Sequence, residues 1–116
     1  MICGALHREG GGRGLARVWR AASAWERLRG LLGRAPLAQD EALLIEPCSS
    51  VHTFGMRYPI DLAYLDREGR VLCIVPRVKP RRLSARPGAR ATLEMAAGAA
   101  EAIGLRAGER LEWRRA

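Results

Sequence analysis

The chain has 116 residues, a formal net charge of +8 and 48% hydrophobic residues, which suits a single domain able to bury roughly two thirds of its unfolded surface without a metal or disulfide. No window approaches the ~18 apolar residues of a membrane span, and the N-terminal "MICGALHREGGGRGLARVWR" has charges and glycines where a secretory signal would have its apolar core, so a cytoplasmic protein is expected. Cys3, Cys48 and Cys73 are an odd, widely spaced set without CxxC, which excludes a disulfide framework and a zinc knuckle and fits a reducing compartment.

Residues 1–14, ending in "REGGGRG", read as a flexible N-terminal arm, and residues 15–116 as one β-rich domain. "LARVWRA" (15–21) alternates apolar and basic side chains and predicts a first strand near a sheet edge. "SAWERLRGLLG" changes period. Ser23 and Glu26 form a capping box, Trp25, Leu28, Leu31 and Leu32 fall on one helical face, and Gly33 with Pro36 supplies the stop. "ALLIEP" (42–47) predicts a strand entering the core.

"VHTFGM" (51–56) is expected to be extended, with a bend at Gly55 or at the "RYP" that follows. In "IDLAYLDREGRVLCIVP" (60–76) two β-rich runs flank the tight turn Asp66–Gly69, the clearest hairpin in the chain. "RVKPRRLSARPG" reads as a long surface connection. A strand through Thr92–Met95, a short helix over 99–105 closed by Gly104, and a last strand at "ERLEW" follow. The sum is a mainly β fold: a small barrel or sandwich of short, mostly antiparallel strands, with one flanking amphipathic helix and a second short helix.

The blocks "RLRGLLGRAPLAQDEALLI", "HTFGMRYPIDLAYLDREGRVL" and "LEMAAGAAEAIGLRAGERL" resemble the prokaryotic family catalogued as domain of unknown function 192, over about residues 15–113. The resemblance implies a barrel-like or sandwich-like β fold with a flanking helix and implies no activity. Its recurring positions fall on Arg29-Gly30-Leu31, Met56, Pro59, Asp61, Asp66, Gly69, Leu93-Glu94, Gly104 and Gly108. Many members carry an export signal, and this chain's basic, polar N-terminus departs from that pattern.

Four chemical patterns stand out. On a continuous strand every second residue shares a face, which would align Cys48, Ser50, His52, Phe54 and Met56. A thiolate, an imidazole and a thioether suit Cu(I), but Phe54 on the same face argues for the inward register of a core strand, and no metal is expected. Cys48 and His52 could also act as nucleophile and base with Asp61 orienting the imidazole, if the segment turns to close the ~13 Å that strand rise puts between them. Asp61, in an apolar strand, demands a partner if buried, either Arg57, His52 or backbone N–H groups. Asp66 suits the turn, where Asp accepts backbone bonds.

The fourth pattern is charge. Residues 70–92 carry seven bases and no acid, whereas the rest of the chain is nearly balanced with 13 bases and 12 acids. Such a block attracts phosphates or acidic surfaces, yet no aromatic residue lies between Tyr64 and Trp113 to stack on bases. No nucleotide-loop, hydrolase-elbow or zinc-protease motif occurs, and no cofactor is implied. Three functions remain in view. The first is a non-enzymatic module that binds a small ligand or protein partner through His52, Met56, Arg57 and Asp61. The second is an enzyme using Cys48 or His52 with Asp61. The third is a weak, non-specific nucleic-acid binder through residues 77–90.

Overall fold

The computed structural model describes residues 1–21, 23, 26–27, 30–31 and 33–116. Nine strands, β1 (Ile2–Arg8), β2 (Leu15–Ala21), β3 (Glu41–Ile45), β4 (Ser50–His52), β5 (Ile60–Leu65), β6 (Val71–Val78), β7 (Leu83–Ala85), β8 (Ala91–Ala96) and β9 (Leu111–Arg115), are joined by one short described helix, α1 (Ala99–Ala102). Seven form a sheet in the order β6-β5-β8-β3-β2-β1-β9, while β4 and β7 make a separate two-stranded sheet. The large sheet curls into a half-barrel. Its two outermost strands approach each other where Arg70 bridges Arg110 and the Val71 N–H donates to Glu109 O at 2.7 Å. Pairing is antiparallel except between β2 and β3, which are parallel.

The mostly antiparallel β architecture and the 60–76 hairpin are as expected. Asp66 Oδ1 accepts the N–H groups of Glu68 at 2.8 Å and Arg70 at 2.9 Å, and these bonds hold its carboxyl below the ordinary value. Gly69 sits at φ 84°, where a Cβ would come within 2.3 Å of Leu111 O, so only glycine fits.

Two expectations at the N-terminus need correction. The stretch assigned to a flexible arm contains β1, paired with β2 on one side and β9 on the other. Burial of Leu6 and the close fit of Gly4 under Trp113, where a Cβ would lie 2.7 Å from the indole, favour the strand over disorder. The glycines that suggested disorder form the β1–β2 turn, with Gly10, Gly11 and Gly12 at φ 86°, 91° and 98°. Consequently β2 is an interior strand, not one near an edge.

The expected capping box forms, since Glu26 N–H donates to Ser23 Oγ at 3.1 Å and Ser23 N–H to Glu26 Oε1 at 3.2 Å. Glu26 and Arg27 are helical. Gly30, at φ 51°, departs from right-handed helical geometry ahead of the expected stop at Gly33. The expected helix-face residues Trp25, Leu28 and Leu32, and the recurring Arg29, lie outside the described residues.

Because strand side chains alternate, each central strand feeds two apolar clusters. Ala42, Leu44, Ala63, Leu65, Leu93 and Met95 face one, which α1 helps to fill through Ala99 and Ala100. Leu43, Ile45, Leu62 and Tyr64 face the other, together with Leu31 from the segment before β3. The candidate site lies on this second face.

Candidate functional site

The segment after β3 is pinned across the end of β8. The Cys48 N–H donates to Arg90 O at 2.9 Å, and Thr92 Oγ1 donates to Cys48 O at 3.0 Å. Three residues of β4 follow, and then buried Thr53 turns the chain. Its hydroxyl donates to Lys79 O at 2.7 Å and accepts from Arg82 N–H at 2.9 Å, and its carbonyl accepts from Met56 and Arg81. These bonds correct the expected register. The strand does not run on to Met56, Thr53 is the fully buried residue of the segment, and Phe54 is 49% exposed. Cys48, His52 and Met56 therefore do not form the inward face of a core strand.

They are nevertheless brought together. Cys48, His52, Phe54 and Met56 line one cavity of about 150 Å³, along with Arg27, Gly30, Leu31, Ile45, Ser50, Val51 and Glu94. Cys48 and Met56 are half-buried, and His52 and Phe54 are exposed.

Glu94 is the unexpected member. It stands in β8 directly opposite Leu43 on one neighbour and Leu62 on the other, is 3% exposed, and among the described residues its Oε1 is the buried side-chain oxygen without a hydrogen-bond partner. Burial among leucines disfavours the charged form and pushes its carboxyl up to about 7. The Tyr58 hydroxyl, raised first by its own burial, is raised further by the Glu94 charge. Gly30 lies against this carboxyl; a Cβ there would sit 3.4 Å from Oε1 and 3.7 Å from Ile45 Cδ1. A carboxyl titrating near neutrality, with a free acceptor in a cavity wall, can receive a hydrogen bond from a ligand or exchange a proton with it.

The other predicted residues divide by face. Asp61 points to the cluster containing α1, away from the cavity. It is 1% exposed, its Oδ1 accepts Arg77 N–H at 2.8 Å and its Oδ2 accepts Ala100 N–H at 3.1 Å. The backbone alternative is thus the arrangement observed, and Asp61 is not positioned to orient His52. Arg57 is exposed and lines an adjoining groove with Met56 and Tyr58. The Cys48 thiol donates to Ser50 O at 3.1 Å, and the His52 ring is tilted against Phe54 at 6.1 Å. All three cysteines are free and half-buried. Among the described residues no group of three or more His, Cys, Asp or Glu could hold a metal ion.

In the basic segment, Arg77 pairs with Glu101 at 3.4 Å and Arg90 with Glu46 at 3.6 Å, while Lys79, Arg81, Arg82 and Arg86 are exposed beside β7. Leu83, on β7, is 78% exposed. No described helix is long and apolar enough to cross a membrane.

The profile of a family described as an uncharacterized ACR, the domain of unknown function 192, matches residues 6–113. No curated protein matches. Two solved structures are similar in fold. One, from Novosphingobium aromaticivorans, is a protein of unknown function with 22% identity and a TM-score of 0.81, the match covering 96% of this chain and 84% of that one. The other, from Sinorhizobium meliloti, is called a "putative transcription regulator"; it has 22% identity and a TM-score of 0.83, the match covering 97% of this chain and 92% of that one.

Proposed function

This chain belongs to the domain of unknown function 192 family, and on that footing we propose that it is a non-enzymatic module that binds a small molecule in the cavity beside Glu94. One observation carries this: a carboxyl 3% exposed, with an unpartnered oxygen, forms part of a cavity wall. Buried polar groups are normally paired, and a pocket with apolar walls and a single well-placed polar group is the usual form of a small-ligand site. His52 and Met56 supply contacts at the mouth, and Arg57 reaches from the adjoining groove; we assign Asp61 to the framework. Protein-observed NMR with a fragment library tests the proposal. Hits should shift the amides of residues 48–56 and 94, and hits confined to other surfaces would refute it.

A nucleic-acid role has support of its own in the exposed Lys79, Arg81, Arg82 and Arg86 and in the name of the Sinorhizobium meliloti protein. With six exposed bases in residues 77–90, two of them in ion pairs, and no aromatic residue within the segment, we place it at weak, sequence-independent phosphate contact. An enzymatic role would draw on Cys48 and His52, which share the cavity. Selective, rapid alkylation of Cys48 over Cys3 and Cys73 would favour that role over simple binding.

A further inference from the structure

Resting on the binding role just proposed, we infer that the ligand is a small organic cation, a protonated amine with a short apolar body, whose N–H groups meet the Glu94 carboxyl. The unpartnered Oε1 is an acceptor when the carboxyl is ionised, and a donor on the ligand would satisfy it. A cationic donor forms the stronger, charge-assisted bond, about twice the strength of a neutral one. A positive partner stabilises the ionised carboxylate between Leu43 and Leu62 more than a neutral donor does. The glycine at position 30 leaves space beside this carboxyl that a side chain would fill, since even a Cβ would approach within 3.4 Å of Oε1.

The remaining wall suits the rest of such a ligand. Ile45 and Val51 offer apolar surface, and the Phe54 ring and Met56 thioether stand at the mouth, where an aromatic face attracts a passing cation. A volume of about 150 Å³ matches the size of a cavity that accepts benzene, which limits the occupant to roughly six heavy atoms. Arg27 shares the wall and has an interaction of its own, which makes an anion the competing class.

Three probes of similar size separate the classes: n-butylammonium, n-butanol and n-butyrate, titrated into the full chain at neutral pH and followed by amide shifts. Butylammonium should bind about tenfold tighter than butanol, with butyrate weaker still. Glu94→Gln, confirmed as folded by its spectrum, should bring butylammonium down to the level of butanol. Equal binding of butylammonium and butanol, or tightest binding of butyrate, would overturn the cationic class while leaving the cavity as a binding site. No response at residues 48–56 and 94 to any probe would overturn both.

Discussion

Replacing Glu94 by Gln should make the protein more stable at neutral pH than the natural chain, and the gain should grow with pH. Glutamine keeps the shape of the side chain and is neutral throughout. In the folded chain burial lifts the Glu94 carboxyl from 4.5 to about 7. Below 4.5 it is mostly protonated in both the folded and unfolded states and adds no ionisation cost. Between 4.5 and 7 the folded state keeps a proton that the unfolded state releases, so stability falls as pH rises. Above 7 the full cost is present: two and a half tenfold steps at about 1.4 kcal/mol each, or about 3 kcal/mol. Urea denaturation of both proteins at pH 4.5, 6, 7 and 8 measures the difference. The amide of Gln adds a constant offset, so the slope is the diagnostic, and titrating groups elsewhere cancel in the comparison. The advantage of the Gln variant should increase by about 3 kcal/mol from pH 4.5 to 8. A difference that stays within about 1 kcal/mol over that interval would refute the burial of an unpaired carboxyl.

Asp61→Ala should cost about 2–3 kcal/mol, because the partly buried Arg77 N–H and the buried Ala100 N–H lose their shared carboxyl acceptor; a loss under about 1 kcal/mol in urea melts would mean those bonds are replaced. Thr53→Val, similar in volume, should cost about 1–3 kcal/mol and speed amide exchange at Arg82, whose N–H the hydroxyl accepts. Unchanged exchange there would show that the hydroxyl does not hold the turn. Duplex DNA should bind with a Kd of about 10⁻⁶ M or weaker at physiological salt and without sequence preference, measured by fluorescence anisotropy. Sub-micromolar, sequence-selective binding would promote the basic segment to the functional surface.

The hairpin of β5 and β6 was legible because its turn chemistry and its β-rich runs agree: Asp66 and Gly69 have one structural use each. β1 was not, because three consecutive glycines and flanking charges dominate the local composition, while Leu6 and Gly4 acquire their meaning only against β2 and β9. The register of residues 48–56 misled for a related reason. Alternation holds along a continuous strand, and Thr53 interrupts this one with bonds to Lys79 and Arg82, about thirty residues away. That interruption swings His52 and Phe54 outward and still leaves them at the edge of the same cavity.

Glu94 is the instructive case. "TLEM" alternates polar and apolar residues as a strand with one solvated face does, so nothing local marks its carboxyl as buried. The cover comes from Leu31 and the 48–56 segment, both distant in sequence. The signal available was its place in the recurring Leu93-Glu94 pair, which bore on importance rather than on environment. Asp61 carried the opposite kind of signal: a charge inside "IDLAYL" announces burial, and burial demanded the partners found on the backbone.

Everything proposed for the cavity depends on the state of one carboxyl. A ¹³C-detected pH titration of the side-chain carboxyl of Glu94 in the folded protein reads that state directly. A midpoint of about 7 is the predicted result, with Tyr58 sensing the same transition. A midpoint at or below the ordinary glutamate value of about 4.3 would show a carboxyl that is solvated or ion-paired, and would remove the basis for a ligand site at Glu94.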